Sequence, residues 1–229
     1  MFLTSDNKIK WRTLGWGTLV TAILCGVGIG FLDRPLFMFL RRFDCKFFQI
    51  LGDLFQAKVW LVVTALIVGC VYIKKSLNSK DNFVKYIKQF NVGKIFADFI
   101  EKTKNNYAFF IFCSIFLASL ATMLIKVVVG RARPVFFEAL DMTGFFPFSI
   151  EWAYNSMPSG HTTASFAGLV MLGLLAPRFK WMTWTMATVI GVSRVCVGAH
   201  WPTDVILGAF IGMVAADFVK SRLMRRMMS

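Results

Sequence analysis

The chain contains two histidines, His161 and His200, and both stand beside residues that suit acid–base chemistry. His161 ends the tetrapeptide P-S-G-H, and His200 follows Arg194 by six residues and precedes Asp204 by four. Because an imidazole changes charge near neutral pH, two of them can divide the roles of nucleophile and proton donor. Asp204 could accept the second ring N–H of His200 and so fix its tautomer.

Cationic residues accompany the histidines. Lys126, Arg133 and Arg194 offer three positive charges for an anion, and arginine can bind a phosphoryl group through two parallel N–H bonds. The backbone of Ser159 and Gly160, at a predicted helix start, adds N–H donors for the same oxygens. Taken singly, each feature also has an ordinary explanation. Lys126 could be a snorkelling lysine, Ser159 a helix cap, and Arg194 one half of a structural ion pair. Together they indicate phosphoryl transfer, which needs positioning and charge stabilisation.

Nothing in the sequence indicates a metal site or a cofactor. The five cysteines show no metal-ligand spacing. Four acidic residues are expected near the histidines, and their spacing is not that of metal ligands: Glu138, Asp141, Glu151 and Asp204. The cations can supply the charge that a bound metal gives other phosphatases. We therefore expect a reaction that needs neither a metal ion nor a cofactor.

Three motifs in order, K-x6-R-P, P-S-G-H and S-R-x5-H-x3-D, resemble the signature motifs of the PAP2 (type 2 phosphatidic acid phosphatase) superfamily. They cover residues 126–204 and match at every signature position. The resemblance implies that His200 attacks phosphorus and becomes phosphorylated, that Asp204 orients it, and that His161 protonates the leaving oxygen. It also implies a set of residues that bind the phosphoryl oxygens: Lys126, Arg133, Ser159, Gly160 and Arg194.

The composition indicates that lipid surrounds these residues. Apolar residues make up 57% of the chain, charged residues 17%, and the mean hydropathy is +0.62. A soluble domain of 229 residues could not bury that much apolar surface. The net charge of +14 fits the excess of basic residues on the cytoplasmic side of membrane proteins, so no nucleic-acid partner is expected.

Six apolar segments predict an all-α integral membrane bundle of six transmembrane helices, forming a single domain over residues 1–229. Some segments fall short of the ~20 residues of a straight span, but their aromatic or uncharged flanks could extend them. They are 13–32, 59–73, 107–129, 162–176, 181–197 and 205–219.

The orientation follows from the loop charges. One set of loops, including both termini, carries 17 lysines and arginines, and the other set carries seven. Positive residues favour the cytoplasm, so both termini should be cytoplasmic and all three motifs should lie at the outer face. In the bacterial setting that the resemblance implies, the chain would lie in the cytoplasmic membrane with a periplasmic site.

Two loops could form short amphipathic helices on the membrane surface. Residues 34–55 mix charges and apolar residues at near-helical spacing, although a short soluble loop is the alternative. The lysine-rich stretch 74–104 has the same character, and there control of topology explains the lysines equally well. Aromatic residues between Phe136 and Tyr154 could form a lip over the site or simply anchor the chain at the interface.

The resemblance implies a membrane lipid phosphate as substrate. Undecaprenyl pyrophosphate, phosphatidylglycerol phosphate, phosphatidate and lipid A phosphates all remain open, as does the oligomeric state. A phosphotransferase that passes the phosphate to a second lipid would have the same motifs. A vanadate-dependent haloperoxidase would need a soluble fold, which six apolar segments argue against. A channel or lipid-binding protein with an inactive site would be expected to lack one of the histidines.

Overall fold

A computed structural model describes residues 1–78 and 92–228, and within them the chain is helical and forms no strand. The α-helices are α1 (Trp11–Val27), α2 (Asp33–Leu40), α3 (Lys46–Leu54), α4 (Ala57–Asn78), α5 (Val92–Thr103), α6 (Tyr107–Val129), α7 (Pro134–Leu140), α8 (Gly160–Leu175), α9 (Lys180–Cys196) and α10 (Pro202–Met228). A π-helical turn, Gly28–Leu32, joins α1 to α2 without a break.

Each of the six predicted spans coincides with a helix, but the number of spans is confirmed only in part. Among the described residues, four helical stretches are long and apolar enough to cross a membrane: Trp11–Phe43, Ala57–Leu77, Tyr107–Val129 and Pro202–Met224. Helix α8 is apolar but has 16 residues, and α9 has 17. At 1.5 Å per residue both are shorter than the ~30 Å hydrocarbon core.

Helix α8 occupies the centre of the bundle, where α6, α9 and α10 surround it. Most of its side chains are buried, and they include the hydroxyls of Thr162, Thr163 and Ser165. A large apolar cluster continues onto the neighbouring helices, with Ile115 on α6 and Ile190 on α9 fully enclosed. The residues at the start of α8 are therefore held by packing on several sides.

Two glycines of α10 allow it to approach α8 closely. A Cβ at Gly208 would lie 2.8 Å from the Ser159 carbonyl oxygen, and a Cβ at Gly212 would lie 2.6 Å from the Thr163 carbonyl oxygen. Their spacing is that of a G-x-x-x-G motif, which lets membrane helices pack backbone to backbone. This contact joins the P-S-G-H segment to the helix that carries Asp204.

Residues 34–55 do include amphipathic helices, but the bounds differ from the prediction, and a position on the membrane surface stays a prediction. The first helical stretch does not end near residue 32, because the π-helical turn carries it on through α2 to a 3-10 turn at Arg41–Phe43. The chain then becomes extended at Cys45 before α3 begins. Helix α3 is amphipathic and packs against α9.

Helix α5 forms within the lysine-rich stretch. Its apolar residues Phe99 and Ile100 pack against Val68 of α4 and Phe109 of α6, and its Asp98 pairs with Lys102 at 2.9 Å. The other part of this predicted amphipathic segment, with Phe83, Tyr86, Ile87 and Phe90, lies outside the described residues.

Candidate active site

A glycine turn separates the two halves of the first motif. Gly130 ends α6 in the left-handed conformation, with φ of 60°, and its N–H donates to the Lys126 carbonyl at 2.8 Å. A Cβ at this position would lie 1.8 Å from the Phe146 carbonyl oxygen, so only glycine fits. The turn leaves Lys126 in the last turn of α6 and places Arg133 just before α7.

The P-S-G-H segment forms the N-terminus of α8. Ser159 is the N-cap, and its Oγ accepts from the Thr162 hydroxyl at 2.9 Å and from the Thr162 N–H at 3.5 Å. Its own N–H donates to the Asp204 carbonyl at 3.0 Å, which ties this helix start to α10. Gly160 and His161 are the first residues of the helix, where free N–H groups favour an anion.

His200 lies in the short connection between α9 and α10, and 3% of it is exposed. Its Nδ1 is 3.6 Å from Asp204 Oδ2, which is longer than a normal hydrogen bond. Asp204 is fully buried, and the same oxygen accepts from the Ser156 hydroxyl at 2.5 Å and from the Trp201 N–H at 2.9 Å. The carboxylate therefore lies behind the imidazole in a fixed orientation.

A cavity of about 320 Å³ opens in front of the two imidazoles. Five of the eight site residues predicted from the sequence line it: Lys126, Arg133, Gly160, His161 and His200. Gln56, Ala57, Lys58, Trp152 and Ala199 complete the lining. The fold therefore brings the three motifs together around one space large enough for a phosphoryl group.

Backbone carbonyls hold the two cations of the first motif in place. The Nζ of Lys126 donates to the Asn155 carbonyl at 2.5 Å, and Arg133 Nε donates to the Trp152 carbonyl at 3.0 Å. The guanidinium of Arg133 also lies over the Trp152 ring, 4.4 Å from its centroid. Burial lowers the pKa of Arg133 to about 10, which still leaves it charged at neutral pH.

Burial has a larger effect on His200. Burial lowers the pKa of the imidazole, the charges of Lys126 and Arg133 act in the same direction, and Asp204 opposes them; together they bring the pKa to about 3. His200 is therefore neutral at pH 7 and retains the ring lone pair that a nucleophile needs.

The other three predicted site residues are not part of the cavity wall. Ser159 is buried beneath it as the helix cap, and Asp204 lies behind His200. The guanidinium of Arg194 turns towards α3, where it donates to the Phe48 carbonyl at 3.2 Å, yet its charge still acts on His161. Its Nε is buried and has no hydrogen-bond partner among the residues described.

Sequence reasoning missed several members of this site. Lys58 adds a cation to the cavity wall, and Ser156 and Arg131 add donors to Asp204. The position of Lys58, at the outer end of a predicted span, was a signal that could have found it. Of the aromatic residues predicted to form a lip, Trp152 lines the cavity, while Phe146 stacks on Tyr154 with ring centroids 4.2 Å apart.

No group of three or more histidine, cysteine, aspartate or glutamate side chains within residues 1–78 and 92–228 could hold a metal ion. The arrangement offers instead two imidazoles, the three cations of the cavity wall (Lys58, Lys126 and Arg133) and a helix N-terminus. This set can bind phosphoryl oxygens and transfer a phosphoryl group to a ring nitrogen.

Comparison with known families agrees with this geometry, because the family model described as the PAP2 superfamily matches residues 107–227. The chain belongs to the PAP2 superfamily. The match includes all three motifs and the helices α6 to α10 that position them. Five of the eight predicted site residues of this PAP2 chain line the cavity, and the other three lie behind or beside it.

Two relatives illustrate the PAP2 similarity. The lipid A 1-phosphatase of Rhizobium etli is 40% identical over 103 residues, which are 45% of this chain and 44% of that protein. The undecaprenyl-diphosphatase of Sulfolobus acidocaldarius is 36% identical over 89 residues, 38% of this chain and 41% of that protein. The chain therefore spans less than half the length of these two relatives.

A crystal structure of Aquifex aeolicus LpxE is also similar to this PAP2 chain. The sequences are 18% identical, the TM-score is 0.46, and the match covers 82% of this chain and 94% of that one.

Proposed function

We propose that the chain is a lipid phosphatase that removes a phosphate from a membrane lipid phosphate or pyrophosphate through a phosphohistidine on His200, without a metal ion. One observation carries this proposal: a single cavity is lined by both imidazoles together with Lys126 and Arg133. Membership of the PAP2 superfamily supports the same reaction class.

The first half-reaction transfers the phosphoryl group to the enzyme. Neutral His200 attacks phosphorus with Nε2, the bond from phosphorus to the lipid oxygen breaks, and His161 gives that oxygen a proton. Asp204 faces Nδ1 and stabilises the positive charge that the ring acquires. Four groups would bind the phosphoryl oxygens: Lys126, Arg133, Arg194 and the N–H of Gly160. The N–H of Ser159 already donates to the Asp204 carbonyl, so Ser159 would contribute as the cap of this helix start. The unpartnered Nε of Arg194 supports its inclusion.

The second half-reaction releases inorganic phosphate. Water attacks phosphorus on the phosphohistidine, His161 accepts the proton of that water, and the bond between nitrogen and phosphorus breaks. His200 returns to its neutral form. His161 thus acts as acid in one step and as base in the next.

Lipid A 1-phosphate is the first substrate to test, because a lipid A 1-phosphatase is among the most similar relatives. Undecaprenyl pyrophosphate follows for the corresponding reason. Phosphatidylglycerol phosphate and phosphatidate are the other two candidate substrates that the resemblance implies. In each of them the phosphate lies at headgroup depth while the tails remain in the bilayer.

The same proposal places six spans in the cytoplasmic membrane of a bacterium, with both termini in the cytoplasm and the cavity at the outer face. The four long apolar helices and the loop charges support it. Helices α8 and α9 would be the two remaining spans. The short length of α8 is compatible with its position at the centre of the bundle, where polar side chains find partners in protein.

The deciding experiment measures phosphate release from the four lipids by purified protein in detergent with excess EDTA. We expect turnover of at least one of them, and ³²P-labelled substrate should leave acid-labile phosphate on the wild type but not on His200→Ala. Activity that vanishes with EDTA and returns with Mg²⁺ would contradict a metal-independent reaction. Labelling that persists in His200→Ala would reject His200 as the nucleophile.

A lipid-to-lipid phosphotransferase is the alternative, because the same phosphohistidine could pass its phosphoryl group to a second lipid. An assay with labelled donor and unlabelled acceptor lipid separates the two functions. Label in a new lipid would identify a transferase, and label in inorganic phosphate alone would identify a hydrolase.

A further inference from the structure

Behind His200, a buried arginine lies between two buried carboxylates. Arg131 donates from Nη1 to Asp204 Oδ1 at 2.8 Å and from Nη2 to Asp33 Oδ2 at 2.6 Å. The exposed fractions are 2% for Asp33, 5% for Arg131 and 0% for Asp204. Asp33 comes from the start of α2, whereas Arg131 follows α6 and Asp204 belongs to α10.

We propose that Asp33 and Arg131 are positioning residues, which act on the reaction by fixing the carboxylate of Asp204 behind His200. The proposal rests on the function proposed above for His200. It gives the first helical stretch, Trp11–Phe43, a role in positioning the site, although no residue of that stretch is in a signature motif.

Arg131 holds the oxygen of Asp204 that does not face the imidazole, and so adds to the restraint that Ser156 and Trp201 place on the other oxygen. It occupies Oδ1, so that Oδ2 is directed towards Nδ1 of His200, 3.6 Å away. Without this bond, only the two donors on Oδ2, the Ser156 hydroxyl and the Trp201 N–H, would oppose rotation of the carboxylate about its χ2 torsion, which is broad and roughly two-fold. The distance and direction to Nδ1 would then vary, and so would the tautomer of His200.

Asp33 determines the charge that reaches the imidazole. Arg131 alone would neutralise Asp204, but one cation between two carboxylates leaves a net charge of −1. That negative charge opposes the positive charge that His200 gains on phosphorylation. Removal of Asp33 should therefore weaken the stabilisation of the intermediate even if the fold is retained.

Asp33 also fixes the first turn of α10. Its Oδ1 accepts from the Thr203 N–H at 3.0 Å and its Oδ2 from the Thr203 hydroxyl at 2.5 Å. The Thr203 N–H is one of the free donors of a helix N-terminus, so a residue of another helix caps α10. Asp204 is the next residue, and its backbone is held at the same point.

The path of the first helix permits this approach. A Cβ at Gly28 would lie 2.3 Å from Thr203 Cγ2, so the helix reaches α10 closely only because residue 28 is glycine. The π-helical turn Gly28–Leu32 directly precedes Asp33, and such turns are frequent at functional sites.

The test compares two buried aspartates, Asp33, which contacts α10, and Asp217, which belongs to α10. Asp33→Asn should lower kcat about ten- to hundred-fold, as loss of a residue that orients a ligand does at metal sites, while KM stays near wild type because the cavity lining is intact. The control is Asp217→Asn: Asp217, 3% exposed, lies further along α10 and accepts from the Phe2 N–H at 2.7 Å. It should change stability but not kcat.

A second variant guards against misfolding of the first. The double substitution Asp33→Asn with Arg131→Gln removes one anion and one cation together, so the buried group keeps its net charge of −1, which is then on Asp204 alone. It should fold and also lose kcat. A well-folded single or double variant with wild-type kcat would overturn the proposal.

A measurement without substrate separates this proposal from the proposed function. In ¹⁵N spectra of histidine-labelled wild type, His200 should show one tautomer with the proton on Nδ1, and both variants should show mixed tautomers. If no lipid phosphate is turned over but the spectra change as expected, the positioning role stands and the function fails. Unchanged His200 spectra in both variants would reject the positioning role, whatever the activity.

Discussion

His200, the proposed nucleophile, shows how burial keeps an imidazole in its neutral form. Because burial lowers its pKa to about 3, the neutral form persists well below the ordinary value of 6.5, and protonation occurs only near pH 3. We therefore predict that the ¹⁵N shifts of His200 remain those of a neutral imidazole from pH 8 to about pH 5. The chain has only two histidines, so the spectrum of His161→Ala assigns them. A titration midpoint near 6.5 would contradict the prediction.

Gly160 offers a substitution that tests phosphate binding without disturbing the fold. A Cβ there would have no neighbour closer than 4.0 Å, where it meets Lys126 Cε and Thr122 Cγ2. The added methyl would project into the cavity, where we place the phosphoryl oxygens. Gly160→Ala should keep the melting temperature of the wild type and raise KM on the order of tenfold. An unchanged KM would move the phosphate away from this helix start.

The sequence predicted the residues that line the cavity better than the residues that support them. Lys126, Arg133, Gly160, His161 and His200 were found from their types and spacing, and they do share a cavity. Asp33 and Arg131 could not be paired in this way, because they are 98 residues apart and each charge had an ordinary explanation at a membrane face. Contacts of that range depend on how the helices pack, which spacing does not specify.

At the scale of helices, the contact between α8 and α10 depends on backbone atoms rather than on side chains. We predict that Gly208→Ala destabilises the protein by about 1–3 kcal/mol, because the new methyl would meet the Ser159 carbonyl oxygen at 2.8 Å. The matched control is Gly69→Ala on α4, where a Cβ meets nothing within 4 Å. Thermal unfolding in detergent measures both. Equal melting temperatures for Gly208→Ala and Gly69→Ala would contradict the prediction, because they would show that α8 and α10 can move apart without loss of stability.

The helices themselves were largely predictable, because long apolar runs indicate helices in lipid. The run 107–129 coincides with α6 at both ends. The predicted end near residue 32 was wrong, since apolarity stops there but the backbone continues through the π-helical turn into α2. Hydropathy reports which side chains suit lipid, whereas hydrogen bonding determines where a helix ends.

For the whole molecule, the loop charges predict that the cavity opens outside the cell membrane. Single cysteines at two exposed positions, Glu151 near the cavity and Asn105 before α6, test this in a variant without the native cysteines. A membrane-impermeant thiol reagent should label residue 151 in intact cells and residue 105 only after lysis. The opposite pattern would reverse the orientation and put the reaction on the cytoplasmic side.

The central position of α8 has a consequence for how the protein is made. During synthesis α8 leaves the ribosome after α6 but before α9 and α10, the partners that enclose the rest of its surface. Until they arrive, the side of α8 that carries the polar residues Thr162, Thr163 and Ser165 is not enclosed by protein, and a polar side chain that faces lipid is costly. Stable insertion of α8 should therefore wait for α10. His161 and His200 would then come together only after α10 has entered the membrane.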